Sequence, residues 1–251
     1  MLYVQQTIIK TLNCATTQDS SIVELPHINN KIQEILMELP LKSRPICICG
    51  PMAAGKTTLI TEIAKLHSRD SYPNVILVQM SEEIDSRVLL GSYHTAEVAN
   101  EFVWKPGCLT KAILNGHWII FEDLHLAPSD VITLLNSVVE KQCLTVVGYG
   151  EISVFHPDFR LFATVSTHNQ IINHQFLNNQ WKTISLEPYS QKNVAMLTSR
   201  LFPNLNSVLN KLLDIFFEEI VIASKRHFRI QTRAHTLRSV SRISINVQHL
   251  Y

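Results

Sequence analysis

Gly50-Pro51-Met52-Ala53-Ala54-Gly55-Lys56-Thr57 is the stretch that decides the fold. It satisfies G-x-x-x-x-G-K-[ST], the phosphate-binding loop of nucleotide triphosphatases. The two glycines let the backbone bend tightly and approach an anion with no Cβ in the way. Consecutive N–H groups then point inward as an anion nest, at the positive end of the helix that follows. Lys56 supplies a mobile charge for β- and γ-phosphates, and the Thr57 hydroxyl is placed to ligate Mg2+. The predicted nucleotide contacts run from Gly50 through Pro51, Met52, Ala53, Ala54, Gly55, Lys56 and Thr57 to Thr58.

The flanks agree with this reading. Pro45-Ile46-Cys47-Ile48-Cys49 is a short apolar run rich in strand formers that ends at Gly50. Leu59, Ile60, Ile63, Ala64 and Leu66 then recur at helical spacing. Strand, glycine loop, helix is the order that phosphate binding requires.

A second stretch supplies acids. Trp118-Ile119-Ile120-Phe121-Glu122-Asp123 is four apolar residues followed by two carboxylates, the Walker B pattern. A buried parallel strand would carry both acids to its carboxyl end, beside the phosphate loop. One would hold the Mg2+ shell and the other would polarise the attacking water. The usual order is Asp then Glu; here it is reversed, so the division of roles is open at this point, with Glu122 taken as the metal-side acid alongside Thr57. The competing reading, acids that cap the next helix, is weakened because Pro128 starts that helix.

Composition sets outer bounds. A chain of 251 residues, 46% hydrophobic and 17% charged, has material for one large core plus a small accessory unit. The net charge of +1 gives no global field to attract nucleic acid or membrane. No apolar run approaches the ~18 residues of a membrane span, and no signal peptide is read at the N-terminus. The five cysteines have neither disulfide nor zinc spacing, which points to a reducing compartment. Cys47 and Cys49 read as small core hydrophobes on a buried strand. His156, His168 and His174 fall in different predicted elements without ligand spacing.

In chain order, residues 1–40 read as a polar arm to about residue 20 and, from Ser21, a helix carrying Ile22, Ile28, Ile32, Ile35, Leu36 and Leu39. Asn74–Gln79 reads as a second buried strand. Leu89–Tyr93 and Phe102–Gly107 place exposed aromatics beside Gly and Pro, a structured loop or hairpin near the nucleotide or a partner, or a packed surface loop. Leu109–Leu114 is a short helix and Pro128–Gln142 an amphipathic one. Leu144–Gly150 reads as a strand and turn. Leu161–Val165 and Lys182–Leu186 complete a core over 41–188. From 189 to 251 only helices are expected, and from Lys225 onward there is no acid. Arg233 is either part of a solvated basic face or the arginine that reaches back to the phosphates.

Ile46 through Ala64, Leu89-Leu90-Gly91-Ser92-Tyr93, Phe102-x-Trp104-x-Pro106-Gly107-x-Leu109-Thr110, Gly116-x-Trp118, Glu122-Asp123-Leu124 and His156-Pro157-x-Phe159-Arg160-Leu161-Phe162-Ala163-Thr164 together resemble the midasin type of dynein-related AAA+ ATPase module. The resemblance runs from about residue 40 to 188, and the Glu-Asp order is similar to the first module of that family's chains. It implies a three-layer α/β/α P-loop AAA+ core with a parallel sheet and a helical lid over 189–251. It also implies ATP and Mg2+ as cofactors, and six modules of one long chain in a ring. Such rings remodel pre-60S ribosomal particles in the nucleolus and nucleoplasm by removing assembly factors. The length here fits one module, either a fragment or a reduced relative. The partners implied are neighbouring modules and the pre-60S particle, with no membrane and no direct nucleic-acid site. Arg233 matches the lid's sensor position.

Two departures bear on activity. The family's polar sensor after Phe-Ala-Thr is usually Asn; in register it is Ser166 here, with Asn169 three residues on. The stretch that normally holds the arginine finger is Leu177-Asn178-Asn179-Gln180-Trp181, without arginine. A finger is worth about 10³–10⁵ in rate, so nucleotide binding with very slow hydrolysis is expected of this chain alone. Two rivals remain: a module that binds ATP to hold a ring interface without hydrolysing it, and a small-molecule P-loop kinase, against which the all-helical tail argues.

Overall fold

The computed structural model describes residues 26–41, 44–67, 69, 74–95, 101–146, 150–167 and 179–201, with positions 211, 213–215, 217 and 218. Its elements run α1 (Pro26–Glu38), β1 (Ile46–Gly50), α2 (Lys56–Leu66), β2 (Val75–Gln79), α3 (Ser86–Leu90), β3 (Gly91–Thr95), β4 (Phe102–Pro106), α4 (Cys108–Asn115) and β5 (Trp118–Glu122). They continue with α5 (Ser129–Lys141), β6 (Leu144–Val146), β7 (Gly150–Ile152), β8 (Arg160–Ser166), β9 (Lys182–Ser185) and α6 (Gln191–Leu201). The five apolar runs read as core strands form one sheet in the order β2-β5-β8-β1-β9. Every pairing in it is parallel.

A parallel sheet is covered on both faces, so its strands are apolar throughout rather than alternating with polar residues. The side chains still alternate in which helices they meet. Ile46, Ile48, Ile120, Phe162 and Ile184 join Leu59, Ile60 and Ile63 of α2 and Ile35 and Leu36 of α1 in one cluster. Cys47, Cys49, Ile119, Phe121, Ala163 and Val165 join Leu109 and Ile113 of α4 and Val131, Leu135 and Val138 of α5 in the other. This is the expected α/β/α sandwich. Cys47 and Cys49 share one face, with sulfurs 3.8 Å apart.

The aromatic stretch beside Gly and Pro is a hairpin: β3 and β4 pair antiparallel, Tyr93 opposite Trp104 and Thr95 opposite Phe102. Tyr93 and Phe102 are exposed. Trp104 departs from that expectation and packs half-buried against the core. Gly107 is required here, because a Cβ on it would lie 2.3 Å from the Leu89 carbonyl oxygen. The stretch Leu144–Gly150, read as a strand and turn, supplies β6, which ends at Val146 and pairs antiparallel with β7 outside the main sheet. β6 and β7 thus form a separate two-stranded sheet beside the five-stranded one.

The His-Pro-x-Phe-Arg stretch has a packing role. Gly116 caps α4 at φ 74, and a Cβ there would lie 2.1 Å from His156 Nδ1. The His156 N–H donates to Ile113 O at 3.0 Å, and Arg160 donates to the carbonyls of Pro157 and Phe159. Arg69 donates to Gly116 O at 2.8 Å and lies over the Trp118 ring. These contacts lock the entry to β8, and so fix where β8 ends.

The expected helices of the tail lie largely outside the described residues, as does Arg233. What is described is α6 and a few helical positions from Lys211 to Glu218, where Leu213 is buried against Val194.

Candidate nucleotide site

β1, β5 and β8 end at one edge of the sheet, and β8 lies between the other two. Ligands of open α/β sheets bind outside this carboxyl edge. The loop after β1 is therefore brought opposite the acids at the end of β5, with Ser166, paired in register with Gly50, between them.

The loop has the conformation that its residues predict. Gly55 is the residue before α2 and is left-handed at φ 82, which favours glycine. Ala53 is also left-handed at φ 59, a strained choice for a residue with a Cβ and one that clusters at functional sites. Gly50 cannot be larger without movement, since a Cβ would meet Leu186 O at 2.8 Å. Pro51 is half-buried, Met52 exposed, Ala54 buried and Thr58 exposed on the first turn of α2. The first amides of an α-helix have no intrahelical acceptor, so the start of α2 is suited to a phosphate.

Lys56 is buried, and its ammonium donates to Gly50 O at 3.1 Å and Pro51 O at 2.9 Å. Burial pulls its pKa below the ordinary lysine value; Asp123, the Cys49 thiol and Glu122 act in the opposite sense. An ammonium held in this way carries a charge that a phosphate would stabilise.

The two acids have different partners. The Thr57 hydroxyl donates to Glu122 Oε1. A hydroxyl and a carboxylate are hard oxygen donors of the kind Mg2+ takes alongside phosphate oxygens, so this pair fits the metal. Asp123 turns away from β5 in the left-handed region at φ 51, ψ 49. Its N–H donates to Thr164 Oγ1 at 3.2 Å. Its carboxylate accepts from Ser166 Oγ at 2.6 Å and from Gln79 Nε2 at 3.4 Å. Ser166, at the position of the family's polar sensor, thus bonds directly to the second acid.

Glu122, Asp123, Lys56, Thr57 and Ser166 are therefore brought together, and Arg233 lies outside the described residues. Sequence reasoning missed Gln79 and Thr164. Gln79 ends β2 in register with Glu122, and Thr164 is the polar residue in the buried Leu161–Val165 run; polarity at a strand's carboxyl end was the available signal. Trp181 is buried, its indole donating to Asn136 Oδ1 at 3.0 Å, so the position nearest the missing finger serves as an anchor.

A model of the AAA domain of the dynein-related subfamily matches residues 45–179. Midasin of Dictyostelium discoideum is 34% identical over 176 residues, 69% of this chain and 3% of that protein. Midasin of Giardia intestinalis is 36% identical over 122 residues, 48% of this chain and 2% of that protein. The chain thus spans a few hundredths of the length of these relatives. A crystal structure of a candidate ATPase from Cytophaga hutchinsonii superposes with a TM-score of 0.57 at 16% identity, covering 80% of this chain and 56% of that one. That likeness is one of fold.

Proposed function

Because the chain belongs to the dynein-related subfamily of AAA domains, we propose that it binds ATP with Mg2+ between the phosphate loop and the ends of β5 and β8, and hydrolyses it. The observation that carries this reading is the split between adjacent acids: Glu122 takes the Thr57 hydroxyl, and Asp123 takes Ser166. Thr57 and Glu122 would hold the metal, which would supply positive charge to offset the negative charge that develops on the phosphates. Lys56 pairs with the phosphates. Asp123, oriented by Ser166, Gln79 and the Thr164 hydroxyl beneath its N–H, accepts a proton from the attacking water. ATP and water give ADP and phosphate, and the turnover moves a lid formed from residues 189–251 against the core of 41–188. Arg233 is assigned to that lid as a phosphate contact.

Likeness to midasin extends the proposal to a nuclear ring of neighbouring modules that remodels pre-60S particles. A second reading, nucleotide held as a structural element of such a ring, is favoured by the absence of arginine from Leu177–Trp181.

The test is a pair of variants in an assembly with the adjoining modules. Glu122→Gln is expected to weaken Mg·ATP binding more than metal-free ATP binding. Asp123→Asn is expected to leave binding nearly unchanged and to slow single-turnover phosphate release by about 10²–10⁴-fold. No phosphate release from the unmodified assembly would sink hydrolysis and favour the structural reading. Equal effects of the two variants would sink the division of roles.

A further inference from the structure

The segment joining core to α6 touches the phosphate loop at both ends. At its start, the Leu186 N–H donates to Cys49 O at 2.7 Å, and Leu186 O lies 2.8 Å from where a Cβ on Gly50 would stand. Three residues later, Tyr189 Oη lies 3.0 Å from where a Cβ on Gly55 would stand. Gly55 thus excludes a side chain twice, by its left-handed backbone and by the phenol over it.

The Tyr189 ring is shared between two bodies. It packs against the cluster that contains Ala54, Leu59, Ile60 and Leu186. It also packs against the small cluster of Val194 and Leu213. Directly after it, Ser190 caps α6, its Oγ accepting from Asn193 N–H at 3.3 Å and its carbonyl from Val194 N–H at 3.0 Å. Gln191 ties the start of α6 to Asp214 at 2.8 Å. A displacement of Tyr189 is therefore passed to the cap of α6 within one residue and to the next helical stretch within two.

We propose that Tyr189 is a positioning residue that couples occupancy of the phosphate loop to the helices after residue 190, through the close approach of its hydroxyl to the side of Gly55 where a Cβ would stand. Gly55 is the hinge where the loop becomes α2, so a phosphate drawn into the loop moves the backbone on which the phenol rests. Packed side chains transmit such shifts because interiors are close-packed and resist compression. Burial raises the Tyr189 pKa, which keeps the hydroxyl neutral and able to donate. The proposal rests on nucleotide binding at this loop but not on hydrolysis.

Hydrogen exchange across Gln191–Leu201, with and without a non-hydrolysable ATP analogue, tests it. In the wild type the analogue is expected to slow exchange there by about fivefold or more, the lower end of ordinary coupling. Tyr189→Phe keeps the ring and its packing. It is expected to retain the melting temperature, to bind the analogue with little change, and to reduce the protection to about twofold or less. Full protection in the Phe variant overturns the proposal. Loss of binding together with protection also overturns it, since Tyr189 would then be a ligand contact and not a link. A wild type that fails to bind the analogue fails the nucleotide reading itself, and a wild type that binds without protecting α6 fails this proposal alone.

Discussion

Replacing Lys56 by Met keeps the length and most of the volume of the side chain and removes the charge. In the free protein the ammonium is buried and donates to two loop carbonyls, Gly50 O and Pro51 O. Hydrogen bonds of this kind contribute about 0.5–1.5 kcal/mol each, or about 1.5–3 when charged. Against them stands the cost of holding the charge out of water, which is large enough to lower the Lys56 pKa. The two effects oppose each other, so free-protein stability is expected to change by only about 1 kcal/mol, within the range of an ordinary substitution. Binding of nucleotide has no such offset. Loss of one charge-assisted bond to the phosphates costs about 1.5–3 kcal/mol, which at 1.4 kcal/mol per decade is roughly 10- to 150-fold in affinity. Titration with a fluorescent ATP analogue measures the loss, and urea unfolding checks the stability. ATP and ADP should both weaken while AMP, which lacks the distal phosphates, should not. ATP affinity unchanged in a folded variant would refute the assignment of the loop. A loss shared equally by AMP would show that the site had collapsed and that the charge was not the cause.

Two further outcomes concern packing and pH. Gly116→Ala places a Cβ at φ 74 and within 2.1 Å of His156 Nδ1. The left-handed backbone costs about 1–2 kcal/mol, and displacement of His156 from the Asp158 N–H adds about 1 kcal/mol. The double variant Gly116→Ala/His156→Ala should be less than additive in urea unfolding, because the two residues share one contact; strict additivity would contradict the clash. For pH, burial, then Arg69 and then His156, lower the His117 pKa below its ordinary value of 6.5. The unfolded chain therefore binds a proton more readily than the folded one. The stability involved is fully present above 6.5 and is lost as pH falls through the folded value. His117→Gln should flatten this acid limb of stability against pH, and an unchanged limb would remove His117 as its source.

Trp118-Ile119-Ile120-Phe121-Glu122-Asp123 shows what is legible in a sequence and what is not. That it is a buried strand follows from four apolar residues in succession, since hydrophobic burial is local in its demand. That its acids face the phosphate loop also follows, because a parallel sheet brings carboxyl ends to one edge. The separate roles of Glu122 and Asp123 were not legible. They depend on Thr57, 65 residues away, and on Ser166, 43 residues away, and on the left-handed turn at Asp123. Gln79 and Tyr189 were missed for the same reason: each lies far in the chain from the residue it touches.

Glycine spacing, lysine and threonine after the second glycine, and the period of apolar residues determined the phosphate loop, the strands and the sandwich, because backbone freedom and burial are properties of the residues themselves. Strand order decided the rest. Placing β8 between β1 and β5 brings Ser166 to Asp123, and placing β9 on the far side of β1 brings Leu186 to Gly50 and Tyr189 close to Gly55. Hydrogen bonds and contacts act over about 3–4 Å, so which side chains reach one another is fixed only once the sheet has been assembled.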